Sequence, residues 1–228
     1  MMVIKNSRLR TLLRYGLPFV GIPLLVILGA LVFRGRQYLL ISLGVAAMAL
    51  LCFVAGFERK KTGARRLVLV AVMTALSIAG RFIPLFKPVT ALTILTALYL
   101  GGESGFLVGA LSALLSNFSF GQGPWTAFQM LAWGMIGLVA GYLAGPLKKH
   151  RWLLLLYGLV SGVVYSLLMD VWTVLWVDGG FQGGMYRSVI LAALPHTALY
   201  ALSNVAFLWL LAKPIGEKLE RIRIKYGV

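Results

Sequence analysis

Long apolar runs separated by short clusters of basic, glycine and proline residues organise this chain. Apolar residues fill 16–33 and 38–57, with only 34–37 between them, and then 67–83, 89–100, 104–118, 124–144, 152–177 and 188–212. A run near twenty residues, rising 1.5 Å per residue, is long enough to cross a hydrocarbon layer of about 30 Å. In lipid such a segment must satisfy its own backbone hydrogen bonds, so each is predicted to be a helix. The pattern predicts an all-α, polytopic membrane protein with a six-helix core preceded by an extra pair of transmembrane helices. The basic linker 58–66 marks the boundary. Residues 1–63 then hold a basic segment and a transmembrane hairpin, 64–215 the core, and 216–228 a basic cytoplasmic tail.

The second core run, 89–100, does not fit a simple span. About a dozen residues give about 18 Å of helix against a layer of about 30 Å. The preceding stretch Arg81-Phe-Ile-Pro-Leu-Phe-Lys-Pro88 is therefore expected to dip back into the protein at membrane depth, where irregular backbone is tolerated beside a cavity.

Composition agrees with this reading, with 60% hydrophobic and only 12% charged residues, too apolar for a soluble domain. The net charge of +16 raises the question of nucleic acid, but its distribution answers it. Lysines and arginines gather at the N-terminus, in 58–66, at Lys148, Lys149 and Arg151, and after Lys213, which are alternate connections of the predicted spans. That is the positive-inside pattern, and it predicts both termini in the cytoplasm. Connections 81–88, 117–125 and 178–187 are then expected outside. The N-terminal segment is similar to a signal peptide but has no small-residue cleavage pattern, and is expected to be a retained span. Cys52 is the single cysteine, which excludes an internal disulfide and a cysteine metal cluster.

Candidate chemistry concentrates in residues 117–133, NFSFGQGPWTAFQMLAW. Asn117, Phe118, Phe120, Gln122, Trp125, Gln129 and Trp133 offer stacking faces and hydrogen-bonding edges to an organic ligand where one helix gives way to the next. Arg81, Phe82 and Phe86 form a second wall. Trp172, Trp176 and Tyr186 lie toward the outer ends of their helices, where an interfacial aromatic belt explains Trp176 and Tyr186. Asp170 is an ionisable group at membrane depth, expected to face a partner, Arg81 or His196, or the site itself. His196 follows Pro195 in a helix that the proline can kink.

Small residues recur at four-residue spacing. Ala71, Ala75 and Ala79 form a stripe on the first core helix that lets another helix approach closely, within this chain or outside it. Gly105/Gly109, Gly137/Gly141/Gly145 and Gly158/Gly162 are expected to serve internal packing. Gly102-Glu103-Ser104-Gly105 resembles the nucleophile motif of rhomboid intramembrane proteases, with His196 as the base it would need. Helix rise separates these two residues by more than about 10 Å, so Ser104 is expected to be an N-cap. The chain carries no Walker-type loop, no His-Glu-x-x-His and no acidic metal cluster. Any accumulation of substrate must then draw on a partner, or on an ion relay through Asp170.

Six core helices, the stripe Ala71-x-x-x-Ala75, and the stretches GRFIPLF, LYLGGESGFLVGALSALLSNFSFGQGPW and MLAWGMIGLVAG together resemble the substrate-binding S component of energy-coupling factor (ECF) vitamin transporters, over about 64–215. The resemblance implies a non-enzymatic transporter subunit in the cell membrane. Ala71, Ala75 and Ala79 would contact a shared transmembrane coupling subunit that carries two ATPases. ATP and Mg would be used by those ATPases, with no cofactor bound by this chain. The substrate-binding set would be drawn from Arg81, Phe82, Phe86, Asn117, Phe118, Phe120, Gln122, Trp125, Gln129, Trp133, Asp170, Trp172, Tyr186 and His196, with 81–87 as a lid. Within the family, the SNFSFGQGPW-like loop and the neutral, amide-fringed aromatic surface are similar to cobalamin-specific members, which makes a corrinoid the expected vitamin; pantothenate and a flavin are the alternatives. The hairpin before residue 58 departs from the six-helix pattern.

Overall fold

The computed structural model describes residues 7–33, 38–55, 63–178 and 181–227, and the regular structure among them is helical throughout. The predicted joint at 34–37, the part of the basic linker before Gly63, and 179–180 of the last outward loop lie outside the described residues. Helix α1 joins Ser7–Thr11, a wider π-type run Leu12–Gly21 and Ile22–Phe33. The wider turns carry Pro18, whose ring nitrogen has no hydrogen to donate. Then follow α2 (Tyr38–Ala55), α3 (Gly63–Gly80), α4 (Val89–Leu100), α5 (Gly102–Phe120), α6 (Trp125–Tyr142), the short α7 (Ala144–Lys149), α8 (Arg151–Asp178) and α9 (Gly183–Tyr226). Leu9–Val32, Arg151–Val177 and Gly183–Tyr226 are long and apolar enough to cross a membrane. Together with the large apolar side chains exposed along α1, α2, α8 and α9, they make this a multi-pass membrane protein.

Helices α4, α5 and α6 form the centre, and glycine sets their separation. A Cβ added at Gly105 would lie 2.5 Å from that of Ala97, one at Gly137 2.6 Å from the Gly105 carbonyl carbon, and one at Gly141 2.2 Å from the Gly102 Cα. Backbone therefore lies on backbone. Gly109 meets the main chain of Trp133 in the same way, while Gly158 and Gly162 receive Leu208 and Ala201 where α8 pairs with α9. The expected internal packing holds for all of these but not for Gly145, which has nothing within 4 Å.

Helix α3 has two unlike faces. Val70, Met73, Thr74 and Ser77 are buried against the core, whereas Ala71, Ala75 and Ala79 are exposed together with Leu67, Val68, Val72 and Leu76. The alanine stripe is not used for packing within the described chain.

Connector 81–88 is exposed at residues 82–86 and returns to the core at Lys87 and Pro88. The Lys87 backbone N–H donates to Ser203 Oγ at 2.9 Å, and the same hydroxyl donates back to the Lys87 carbonyl at 3.2 Å. Ser203 lies about 30 Å along α9 from Gly183 at 1.5 Å per residue. Leu85 sits at φ 62° in this turn, a conformation costly for a branched side chain.

At the opposite end the segment expected as a basic tail, 216–228, is helical as far as Tyr226. Helix α9 continues without a break through Pro214 to Tyr226, because its last turns find partners. Gly216 and Leu219 are buried, Gly216 lying against the ring of Tyr99. Lys148 pairs with Glu220 at 3.8 Å, and Arg65 lies over the ring of Tyr226 at 5.0 Å.

Candidate functional site

The site grows from the junction of α5 and α6. Glycine with φ +98° at Gly121 permits the sharp reversal there. Helix α5 runs on to Phe120, so Asn117, expected in a loop, is a helical residue pointing inward and only 1% exposed. A network of neutral groups closes the reversal. Gln122 Nε2 donates to the Leu114 carbonyl at 2.7 Å, and Gln122 Oε1 accepts from Thr126 Oγ at 3.0 Å. Asn117 Nδ2 donates to both Thr126 Oγ and Gln129 Oε1, at 2.9 and 2.8 Å. This leaves the Asn117 carbonyl oxygen to face Arg81.

Arg81 is the unusual member. It is 7% exposed, and its guanidinium donates to Asn117 Oδ1 at 2.7 Å and to Ser116 Oγ. It lies 4.8 Å from the ring centre of Phe120 and 5.2 Å from that of Trp133. A buried cation ordinarily demands an anion, and among the described residues Arg81 makes no ion pair. Amide, hydroxyl and ring faces stabilise the charge instead. Its Nε and the indole Nε1 of Trp133, both buried, make no hydrogen bond within the protein. Lys87 lies nearby, 5.6 Å over Phe120, and burial together with the charge of Arg81 pushes its ammonium below the ordinary value.

Aromatic rings extend the cluster across three helices. Trp133 stacks on Tyr165 at 5.0 Å and 13°, Tyr165 meets Tyr200 at 5.0 Å, and Tyr200 meets His196 edge-on at 5.0 Å. A second group joins Trp125 to Trp172 at 5.7 Å and Trp172 to Trp176 at 6.3 Å. Phe82 lies against Phe120 at 4.8 Å.

The structure thus brings together Arg81, Phe82, Asn117, Phe120, Gln122, Gln129 and Trp133, with Trp125 and Trp172 beside them. Phe118 points away, 67% exposed, and Phe86 is also exposed. Asp170 is buried, with Oδ2 making no hydrogen bond. It forms no ion pair with either of its two predicted partners, Arg81 and His196. Tyr186 donates to the Leu167 carbonyl at 3.2 Å and packs on Phe181 at 5.4 Å. Sequence reasoning missed Ser116, Thr126, Tyr165 and Tyr200. Thr126 adjoins Trp125 in the polar stretch and was within reach, but the two tyrosines lie in apolar runs that give no local signal.

The N-cap assignment of Ser104 is corrected. Its hydroxyl donates to the Leu100 carbonyl and accepts from Arg66 Nε, each at 2.8 Å, so it bridges the α4–α5 junction to α3. The His196 ring is against Tyr200, and no nucleophile–base pair forms between it and Ser104. No group of three metal-ligating residues occurs among the described residues.

A family model described as ECF-type riboflavin transporter, S component, matches residues 61–221. No curated protein and no solved structure matches.

Proposed function

Because the chain belongs to the family of ECF-type riboflavin transporter S components, we propose that it is the subunit that captures riboflavin, or a close flavin, for an ATP-driven importer. The family's description names riboflavin, one of the vitamins the sequence leaves open, and this favours a flavin over the expected cobalamin and over pantothenate. The observation that carries the reading at the site is the pair of buried donors, Arg81 Nε and Trp133 Nε1, set among aromatic rings and lacking protein acceptors. An isoalloxazine ring is planar, aromatic and edged with carbonyl acceptors. It suits rings that stack and N–H groups that require an acceptor. Arg81 supplies a charge-assisted bond, and Phe120, Trp125 and Trp172 supply apolar surface.

In this reading the Arg81 end faces outward and both termini face the cytoplasm, which the distribution of Lys and Arg supports. The stretch 82–87 closes over the vitamin. The exposed alanine face of α3 meets a transmembrane coupling subunit joined to two ATPases, which use ATP and Mg. The small side chains of Ala71, Ala75 and Ala79 allow close helix approach, and their exposure supports a partner outside the chain. The protein itself performs no chemistry; its part is selection and delivery.

The test is equilibrium titration of the purified protein in detergent with riboflavin, followed by flavin fluorescence, with cobalamin and pantothenate in parallel. Saturable near-stoichiometric binding of riboflavin alone is expected. Binding of cobalamin in preference to riboflavin would restore the corrinoid reading.

A further inference from the structure

The hairpin of α1 and α2 lies outside the matched region 61–221, yet its side chains reach the inner end of the core. Glu103, 3% exposed at the start of α5, is paired with Arg14 of α1. Arg66, at the base of α3, donates to Ser104 Oγ and to the Leu100 carbonyl, and its guanidinium lies 5.5 Å over the ring of Phe53 in α2. Both charged groups converge on Gly101, where an added Cβ would sit 2.8 Å from Arg66 Nη2 and 3.5 Å from Glu103 Oε2. Tyr15 and Phe19 of α1 stack on Tyr142 at the end of α6, each at 6.2 Å. A segment that served only to anchor the protein in lipid would not need to bring a cation to a buried carboxylate of the body it anchors.

We infer that the hairpin positions the base of α3: through Glu103 and Phe53 it fixes Arg66, and with it the face of α3 that meets the coupling partner. The inference rests on the docking role proposed above. Ala71 lies about 7.5 Å beyond Arg66 along α3 at 1.5 Å per residue, so a displaced base displaces the stripe. Without Arg14 the Glu103 carboxylate is buried with Arg66 as its cation. Arg66 is then drawn from Ser104 and the Leu100 carbonyl toward the carboxylate, and α3 moves with it. Arg14, Phe53 and Arg66 are positioning residues that touch neither vitamin nor partner.

The experiment compares full-length wild type, Arg14→Leu, Arg14→Lys, Phe53→Leu and Ala75→Trp in the assembled transporter. It measures riboflavin affinity of the isolated subunit, its melting temperature, and its capture by the coupling subunit with both ATPases. For Arg14→Leu, capture is expected to weaken at least about tenfold while riboflavin affinity stays within about twofold. Arg14→Lys, which keeps the charge, should recover most of the loss, and Phe53→Leu should show a smaller loss of the same kind. Wild-type capture by Arg14→Leu overturns the inference if Ala75→Trp is not captured. Equal loss of riboflavin binding in Arg14→Leu also overturns it, since the hairpin would then be a general structural support. Normal capture of Ala75→Trp removes the docking role itself, and this inference with it.

Discussion

Two arginines, Arg66 half-buried and Arg81 buried at opposite ends of the bundle, are held in opposite ways. Arg66, at the Gly101 end, sits beside the carboxylate of Glu103 and the cation Arg14, against a phenyl ring, with donors directed to Ser104 and the Leu100 carbonyl. Arg81, at the Gly121 end, has amide, hydroxyl and ring partners, and one donor left over. A cation compensated by the fold belongs to the fold. One whose charge is only partly satisfied gains most from something the fold does not contain, and a ligand with acceptor atoms is the natural candidate.

The same substitution at the two places should therefore act oppositely. Arg81→Met is expected to weaken riboflavin binding by about 100-fold or more, with a melting temperature unchanged or raised because an uncompensated buried charge has been removed. Arg66→Met should do the reverse, costing about 3 kcal/mol of stability and leaving riboflavin affinity nearly intact. Titration by flavin fluorescence beside a thermal unfolding series reads both, and parallel behaviour of the two variants would break the comparison. Trp133→Phe keeps the ring on Tyr165 but removes the indole donor; about tenfold weaker riboflavin binding is expected, and no change would mean that Nε1 does not serve the ligand. Gly101→Ala, forced to φ +92° and against Arg66, should lose about 1–3 kcal/mol of stability, seen as a lower melting temperature without a change in flavin affinity. The smallest effect is expected of Asp170→Asn, within about threefold in riboflavin affinity, because Asp170 forms no ion pair with Arg81. A large loss there would extend the site into the α8–α9 pairing.

Much of this architecture could be read from the sequence because lipid permits few solutions. The apolar runs located the helices, and the spaced glycines forecast close helix contacts. At the site, Asn117, Gln129 and Arg81 were conspicuous as polar groups in apolar surroundings. Tyr165 and Tyr200 were not, since each lies in an apolar helix and acquires meaning only by standing beside Trp133. The helical course of 216–226 was not read because Tyr99 and Lys148, which support it, are far away in the chain. The link between Arg14 and Glu103 joins residues 89 positions apart, and no local pattern announces a pair of that separation.

One small feature bears on the lid proposed for 81–87. Connector 81–88 is secured near its end by the Ser203 hydroxyl, which takes the Lys87 N–H and returns a bond to the Lys87 carbonyl. Releasing that pin would cost about two hydrogen bonds, about 2 kcal/mol, so a lid held by the pin alone would stand open in about one molecule in thirty. In that proposal the vitamin enters at the diffusional encounter rate scaled down by the open fraction and leaves through the same opening. A single serine would thereby slow entry and exit alike, lengthening residence without adding any contact to the vitamin.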